Sequence, residues 1–346
     1  MFVAYPFFIF ACQYSALLII QKCCFVNTNH VHLHCQFNMR NLYMNRGGTL
    51  YFRDIELKDK ILIDNFLLRN HTRKLNYCFE VLYLWREACN FQICFHNNFL
   101  LIKTFTNSCI NFLYPLGDGD IREVIENMIL YSEKNNSSFR LFQISASNKE
   151  TLERYFPERF DFELSRNESE YIYNTEKLID LHGKKFQHKR NHINYFEQHY
   201  EWMFEPLLDS NLSECYDFNR KWFENQRAHN DFNNTLKAES LAIEKAFNEW
   251  DSLNLNGALL RANGEIAAYS MGCRLSEDTY LILFEKSIHE IRGASQQINR
   301  LFAKEYASRY AYVNRAEDSG DEGLRHAKLS YLPDKLDELY FAKLKS

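Results

Sequence analysis

The sequence predicts an α+β protein in which two mixed sheets, each flanked by helices, follow one another along the chain. Two observations support this prediction: the same order of strands and helices occurs twice, and an Asn-Gly pair divides two strand-like runs in the second half. The chain has 346 residues, more than one hydrophobic core usually accommodates, so two lobes are expected. Its 11 glycines and 5 prolines are few for a fold with a glycine-rich dinucleotide loop.

The first half of the chain shows the period-two pattern of strands and the 3.6-residue pattern of helices. Asp120, with Glu123 three residues later, predicts a capping box at the start of its first helix. In chain order the elements are the strands Asn90–Phe95, Phe99–Phe105 and Ile110–Leu116, that helix, the strand Arg140–Ser145, the helix Glu150–Phe156, and the strands Phe160–Arg166 and Glu170–Tyr173.

The second half repeats this order around the hairpin signal Asn263-Gly264. Its elements are the strands Gly257–Ala262, Glu265–Arg274 and Thr279–Lys286, the helix Ala294–Arg309, the strand Tyr310–Arg315, the helix Glu322–Ser330 and the last strand Glu338–Leu344. Three meandering strands followed by helix, strand, helix and strand is the core order of the GNAT fold. The sequence therefore predicts a tandem GNAT-like acyltransferase fold.

The expected organisation has three parts: an N-terminal extension over residues 1–38, a first lobe over 39–175, and a second lobe over 176–346 that begins with a basic linker helix. Residues 2–21 carry no charge and have about the length of a membrane span. They lack the basic start and the cleavage site of a signal peptide. Ordinary polar patterning begins only after Met39, so a mis-assigned start and a membrane anchor remain the two interpretations.

Charge and cysteine usage restrict the class of protein. A net charge of −4 disfavours general nucleic-acid binding, so any phosphate ligand needs a local basic patch. The ten cysteines form no CxxC pair, which indicates a reduced, cytoplasmic protein, with membrane anchoring as the alternative. His188 and His192 are four residues apart without the glutamate of a zinc-protease helix, and no metal site is predicted.

Two stretches resemble a known family: residues 180–194, which read DLHGKKFQHKRNHIN, and residues 314–333, which read NRAEDSGDEGLRHAKLSYLP. From about Phe52 to its end the chain is similar to bacterial proteins grouped with the C-terminal domain of phosphatidylglycerol lysyltransferase. The resemblance implies a tandem GNAT architecture and a relation to enzymes that move an aminoacyl group from tRNA to an amine or hydroxyl. The chain departs from the family pattern at Ala316, where an acidic residue is usual, and at Leu332, where histidine is common.

The resemblance places the acyl donor at residues 286–296, between the third meander strand and the next helix. Backbone N–H groups at such a helix start bind anions. The predicted donor-binding residues are Lys286, Arg292, Gly293 and Ser295. A simple helix-starting turn is the alternative. The matching turn of the first lobe carries Asp118 and Asp120, which would repel an anion, so the second lobe is predicted to hold the donor.

Acyl transfer requires a base, an acid and hydrogen-bond donors for the oxyanion. Glu285 on the third strand is the first predicted base, followed by Glu317 and Asp318 after the next strand. Tyr331 is the predicted acid, as the GNAT resemblance implies. Phosphate groups are assigned to basic residues of the linker and the family motif, namely Lys185, Lys189, Arg190, Arg315, Arg325 and Lys328. Ion pairs with Glu317 and Asp318, and a solvated helix face, are the alternatives.

The predicted function is acyl or aminoacyl transfer to a small amine or hydroxyl acceptor bound between the lobes. Acyl-CoA and aminoacyl-tRNA are the two candidate donors, which makes tRNA a candidate partner, and no other cofactor is implied. Membrane contact is expected only if residues 1–21 form an anchor. The alternative is a non-catalytic tandem GNAT module that binds a small ligand or a protein. The sequence does not indicate an oligomeric state.

Overall fold

The computed structural model describes residues 49–106, 109–228 and 234–345. These described residues form one compact unit. The two interpretations of residues 1–38 concern a segment outside the described residues. Among the helices of the described part, none combines the length and the hydropathy needed to cross a bilayer.

The described residues form two mixed sheets and a set of covering helices. The strands are β1 (Arg53–Asp54), β2 (Gln92–His96), β3 (Phe99–Thr106), β4 (Cys109–Leu113), β5 (Leu116–Gly117), β6 (Ser138–Ile144), β7 (Phe160–Leu164), β8 (Tyr171–Asn174), β9 (Trp202–Pro206), β10 (Asn256–Ala262), β11 (Glu265–Arg274), β12 (Thr279–Ser287), β13 (Tyr312–Asn314), β14 (Lys335–Leu336) and β15 (Tyr340–Leu344). The helices are α1 (Lys60–Arg69), α2 (Phe79–Cys89), α3 (Ile121–Lys134), α4 (Ala146–Tyr155), α5 (Thr175–Asp180), α6 (Gln187–His199), α7 (Asp209–Ala228), α8 (Asn234–Asn248), α9 (Trp250–Leu253), α10 (Ala294–Phe302) and α11 (Glu322–Leu329).

The first sheet has the strand order β1-β2-β3-β4-β6-β15-β7, with β5 paired to β3. Neighbouring strands are antiparallel except for β4 and β6, which run parallel. Helix α3 covers this sheet with the face that the sequence predicts, since Val124, Ile125 and Met128 are all fully buried. Asp120 caps the helix by accepting hydrogen bonds from the backbone N–H groups of Arg122 and Glu123.

The second sheet has the strand order β14-β8-β13-β12-β11-β10-β9. Strands β12 and β13 form its parallel pair. The predicted hairpin at Asn263-Gly264 joins β10 and β11. Helix α10 buries Ile298 and Phe302 against one face. On α2, Trp85 stacks on Phe284 of β12 with ring centroids 5.1 Å apart.

Two strands lie in a different sheet from the one that the sequence predicts for each of them. The last strand was expected to complete the second sheet, but β15 lies between β6 and β7 of the first. Conversely, β8 belongs to the second sheet, where it lies between β14 and β13. A period-two pattern identifies a strand but carries no information about its partner, which explains the error. The division into lobes at residue 175 stays a prediction. The second sheet includes β8, which precedes this residue, and the first sheet includes β15, which follows it.

The basic linker is a further difference, because residues 177–199 do not form one helix. Leu181 adopts a left-handed conformation with φ of 50° and ends α5. A short 3-10 turn over Lys184–Phe186 then leads into α6. The predicted helix Ala294–Arg309 is also interrupted, since α10 passes into a π-helical segment at Ala303–Ala307.

Candidate functional site

The parallel strands of the second sheet separate soon after they begin. Pairing between β12 and β13 is confined to Thr279–Leu281 against Tyr312–Asn314. Strand β12 continues to Ser287. The chain after β13 follows β8 instead, because the Arg315 N–H donates to the carbonyl oxygen of Tyr171 at 3.0 Å and the Tyr171 N–H donates to that of Ala316 at 3.1 Å. An opening therefore forms between the second half of β12 and the segment after β13.

A β-bulge shapes β12 at the opening. Met271 is paired with Phe284 and Gly272 with Ile282, so Leu283 is the extra residue. A bulge bends its strand and increases the local twist. Glycine at position 272 permits the close approach of the strands, because a Cβ there would lie 2.4 Å from the carbonyl oxygen of Leu281.

An ion pair spans the opening. Arg315 Nη2 lies 3.0 Å from Glu285 Oε1, and the two side chains are 12% and 14% exposed. Asn299 on α10 donates from Nδ2 to the other carboxylate oxygen of Glu285 at 3.1 Å. The second guanidinium nitrogen, Arg315 Nη1, is buried without a hydrogen-bond partner in the described residues. It is a charged donor that is available to a ligand oxygen.

Tyr331 lies beside this ion pair, just beyond α11. The Arg315 guanidinium lies 5.0 Å from its ring centroid, and the ammonium of Lys189 on α6 lies 4.2 Å from it. Within the described residues the buried Tyr331 hydroxyl has no hydrogen-bond partner. Burial raises the pKa of this hydroxyl, so it keeps its proton at neutral pH.

Lys328 and Glu317 complete the cluster. Lys328 donates to the carbonyl oxygens of Arg315, at 2.7 Å, and of Glu317. Burial lowers the pKa of Lys328 to about 8. In the described part of the chain Glu317 Oε2 is a further buried polar atom without a hydrogen-bond partner. Lys328 thus fixes the backbone from which Glu317 projects.

Asp318 anchors the loop that carries Glu317. Its fully buried carboxylate accepts hydrogen bonds from Arg325, at 2.9 Å, and from the Tyr171 hydroxyl, at 2.5 Å. Arg166 also reaches it at 3.2 Å. Although burial raises the pKa of Asp318, the hydrogen bonds from Arg325 and Tyr171 lower it well below its usual value. Asp318 and Arg325 therefore form a structural ion pair, which matches the alternative that the sequence left open for Arg325.

The predicted residues divide into those that meet at the opening and those that do not. Arg190 is bound to its own helix start, where it donates to the carbonyl oxygens of Leu181 and Gly183. Lys185 is exposed on the surface. Residues whose side chains meet at the opening are Glu285, Tyr331, Lys189 and Arg315. Lys328 and Glu317 join them through the backbone, since Lys328 donates to the carbonyl oxygens of Arg315 and Glu317.

The predicted donor-binding residues do not form one group. Lys286 faces the opposite side of the sheet, where its ammonium lies 2.7 Å from Glu239 and 4.5 Å from the Trp222 ring centroid. Its expected contact with the donor turn is therefore wrong, because β12 alternates its side chains between the two faces. Arg292 is exposed and stacks over the Tyr195 ring at 4.3 Å.

Gly293 allows α10 to pack against α6. Its φ is 92°, and a Cβ at this position would lie 2.3 Å from the carbonyl oxygen of His192. A packing requirement thus explains the glycine, while its predicted role in donor binding is untested. Ser295 lies half-buried in the first turn of α10, and its contact with a donor also stays a prediction.

Sequence reasoning missed two polar residues that support the site. Asn299 holds Glu285 and is a buried polar residue on the apolar face of α10, which is the signal that could have identified it. Glu170 is 1% exposed and accepts hydrogen bonds from the side chain of Asn314, at 2.5 Å, and from the backbone N–H of Leu75. Burial raises its pKa. Glu170 thereby ties the end of β13 to the segment before α2.

Two mixed sheets with a parallel pair in each, together with helices α3 and α10 after their meanders, define the tandem GNAT-like acyltransferase fold. The family model described as phosphatidylglycerol lysyltransferase, C-terminal, matches residues 69–343. The chain belongs to this family, and the resemblance seen in the sequence is confirmed.

Similar proteins agree with this assignment. A crystal structure of a conserved protein of unknown function from Bacteroides thetaiotaomicron VPI-5482 is 33% identical with a TM-score of 0.81, covering 86% of this chain and all of that one. L-PGS from Bacillus licheniformis is 16% identical with a TM-score of 0.58, covering 82% and 91% of the two chains, which shows the shared fold. An uncharacterized protein from Mycoplasmoides gallisepticum is 26% identical over 191 residues, which are 54% of this chain and 60% of that protein's length.

Proposed function

We propose that this chain transfers an aminoacyl group from aminoacyl-tRNA to an amine or hydroxyl acceptor in the opening beside β12. The supporting observation is the set of buried polar atoms there that have no hydrogen-bond partner among the described residues: Arg315 Nη1, Glu317 Oε2, the Tyr331 hydroxyl and Asn299 Oδ1. An unpaired buried polar atom costs about 1–3 kcal/mol. Four around one opening indicate a ligand that pairs with them.

The chemistry assigns one role to each group. The acceptor nitrogen or oxygen attacks the ester carbonyl of the aminoacyl group, and Glu317 takes the proton of that acceptor atom as general base. Glu317 suits this role better than Glu285, whose two oxygens are already bound by Arg315 and Asn299. Arg315 Nη1 donates to the oxyanion of the tetrahedral intermediate.

Tyr331 completes the transfer as general acid. When the intermediate collapses, the bond to the ribose oxygen of the tRNA breaks, and the Tyr331 hydroxyl gives that oxygen a proton. The raised pKa of the hydroxyl keeps the proton available until charge develops on the leaving oxygen. The proton held by Glu317 then returns to Tyr331 through the solvent.

The helix start at α10 favours aminoacyl-tRNA over acyl-CoA as the donor. The His192 carbonyl oxygen lies against Gly293. One side of this turn therefore presents negative partial charge, whereas a pyrophosphate would need hydrogen-bond donors there. Arg292 on the exposed side remains accessible to a single phosphodiester. Lys185, exposed on the linker, and Lys189, next to Tyr331, can attract the acceptor end of the tRNA.

The donor is tested by single-turnover transfer from labelled aminoacyl-tRNA and from labelled acetyl-CoA, with phosphatidylglycerol vesicles and small amines as acceptors. We expect transfer from aminoacyl-tRNA alone, and a loss of about 100-fold in the Glu317→Gln chain. The matched control is Glu205→Gln, which removes one charge from the Arg261 ion pair elsewhere on the same sheet and should transfer normally.

Transfer from acetyl-CoA alone would show that the donor is wrong. Tight binding of a donor without transfer to any acceptor would instead favour the non-catalytic binding module. Equal loss in the Glu317→Gln and Glu205→Gln chains would mean that Glu317 contributes only to stability.

A further inference from the structure

A cluster of metal-binding side chains lies outside the proposed transfer site. Cys78 occupies the N-cap position of α2 and Glu80 lies in the first turn of this helix, whereas Cys273 lies on β11. The three residues are 1%, 4% and 3% exposed. One ligand atom from each lies within 4.8 Å of the other two.

We propose that Cys78, Glu80 and Cys273 bind a zinc ion that ties α2 to the second sheet. The two sulfur atoms lie 3.8 Å apart. Two Zn–S bonds of about 2.3 Å at the tetrahedral angle place their sulfurs about 3.8 Å apart. A disulfide needs a separation of about 2.05 Å, so the observed spacing matches a metal bridge.

The glutamate is already oriented for coordination. Its Oε2 lies 3.0 Å from the Cys78 sulfur, while its Oε1 accepts a hydrogen bond from the ammonium of Lys60. Zinc-binding carboxylates are commonly held by such an outer partner. Lys60 also lies 3.0 Å from Asp64 on its own helix, which fixes the position of the ammonium.

The surroundings also suit the charge of a zinc complex. Two thiolates and one carboxylate give the complex a single negative charge, which the Lys60 ammonium balances. Cys78 occupies the N-cap position of α2, and a helix N-terminus favours a thiolate. Zinc replaces the two thiol protons, which pass to the solvent, so no oxidant is required. The three side chains supply three of the four ligands of a tetrahedral zinc ion.

The site has a structural consequence for the second sheet. Cys273 pairs with Leu281 of β12, the last residue of that strand that pairs with β13. Trp85, further along α2, stacks on Phe284 of the same strand. A zinc ion would therefore fasten α2 to the strands at the point where the opening begins.

Zinc content and melting temperature of the full chain test the proposal. The reduced protein is stripped with a chelator and titrated with Zn²⁺. We expect a zinc-dependent rise in melting temperature that is lost in the Cys78→Ser/Cys273→Ser chain. The matched control is Cys94→Ser/Cys215→Ser, which changes two other buried cysteines and should retain the rise.

Cobalt distinguishes this site from residues 30–35, where histidines and a cysteine are adjacent. Co²⁺ bound at the proposed site gives a thiolate-to-cobalt charge-transfer band, which should disappear in the Cys78→Ser/Cys273→Ser chain and persist in the control. If that chain does not fold, Glu80→Gln keeps both thiols and should weaken zinc binding about tenfold or more. Equal zinc affinity in wild type and Glu80→Gln, no rise in melting temperature, or a Cys78–Cys273 disulfide in the purified protein would each overturn the proposal.

Discussion

The two parallel strand pairs of this molecule share an element order but differ in how far they stay together. In the first sheet, β4 is paired with β6 along all five of its residues. The pairing continues beyond the strand, because the Tyr114 N–H donates to the carbonyl oxygen of Phe142 at 3.1 Å. In the second sheet only three residue pairs form before the strands part. The same core order thus gives one closed sheet and one sheet with an opening.

Local sequence explains the difference. After β4 the chain returns to β3, where Gly117 pairs with Phe99, and a Cβ at Gly117 would lie 2.2 Å from the carbonyl oxygen of Asn98. Strand β12 instead continues past a bulge at Leu283. The helices that follow also differ, since Asp120 caps α3 with its carboxylate while α10 begins at Gly293 without a side-chain cap. At α3 the Asp120 carboxylate thus already accepts from two of the backbone N–H groups that an anion would use, whereas no side chain does so at α10.

The largest expected effect concerns the residue after each parallel strand, Arg315 after β13 and Ser145 after β6. Arg315→Lys keeps a positive charge beside Glu285 but removes the free Nη1, so transfer should fall about 100- to 1000-fold. Ser145→Ala removes the cap of α4, a 3.2 Å hydrogen bond from the Asn148 N–H, and should cost about 1 kcal/mol of stability. Single-turnover rates and urea denaturation measure both. A comparable loss of transfer in both chains would contradict the comparison.

Two buried tyrosines give the next comparison. Tyr331→Phe removes a hydroxyl that has no hydrogen-bond partner in the described residues. It should reduce transfer about 100-fold and leave the free energy of unfolding unchanged or slightly higher. Tyr77→Phe removes a 2.7 Å hydrogen bond to the carbonyl oxygen of Tyr114, so it should cost about 1 kcal/mol without affecting transfer. A stability loss in Tyr331→Phe with normal transfer would assign Tyr331 a packing role.

The turns before α10 and α3 differ in charge. Substitutions in these turns should change donor affinity, by less than the substitutions of Arg315 and Tyr331 change transfer. Arg292→Ala should weaken binding of aminoacyl-tRNA about tenfold, because it removes a charge-assisted contact. Asp118→Ala should leave the affinity nearly unchanged. Filter binding at constant salt measures both dissociation constants. Should Asp118→Ala alter the affinity while Arg292→Ala does not, the donor would belong to the first lobe.

The smallest expected effect is the pH dependence caused by a cation held at the opening. Burial, and then the charge of Arg315, lower the pKa of Lys189 to about 8. Below pH 8 the folded chain carries a poorly solvated charge on Lys189. Between pH 8 and the higher pKa of Lys189 in the unfolded chain, the folded chain has released this proton while the unfolded chain still holds it. The free energy of unfolding therefore rises with pH in this range. Lys189→Met should therefore be more stable than wild type at pH 7, by about 1 kcal/mol.

The advantage of Lys189→Met should shrink as the pH rises above 8. Lys185→Met, at an exposed position on the same linker, is the control and should show no such trend. Urea denaturation of the three chains from pH 6 to pH 10 measures the difference. A constant difference across this range would mean that the Lys189 ammonium is not desolvated.

Much of the fold follows from local patterns. The helix α3 with its apolar spacing, the Asn263-Gly264 turn and the two strands β10 and β11 that this turn joins are all where the sequence predicts them. Strand β9 was missed, because Trp202 and Met203 are both exposed on this edge strand and the segment has no alternating pattern. The exchange of β8 and β15 between sheets depends on contacts between distant residues, which periodicity cannot show.

The site was predictable to a similar degree. Glu285 and Glu317 were recognised from the roles that acyl transfer requires, and Tyr331 from the GNAT resemblance. The structure places Glu285 and Tyr331 on either side of Arg315. The orientation of Lys286 could not be predicted from the sequence, because the face of the sheet on which a strand residue lies depends on the register and on the bulge at Leu283. The roles of these residues in catalysis stay predictions until the variants are measured.

The position of β15 has a consequence for the order in which the protein can be assembled during synthesis. Strand β7 joins the first sheet through β15, so the edge of this sheet cannot form until residues 340–344 have left the ribosome. Domains generally fold as units, starting from the N-terminus, while translation proceeds. Here the first sheet must wait for β15, and the nascent chain exposes the unpaired edges of β6 and β7 throughout that interval.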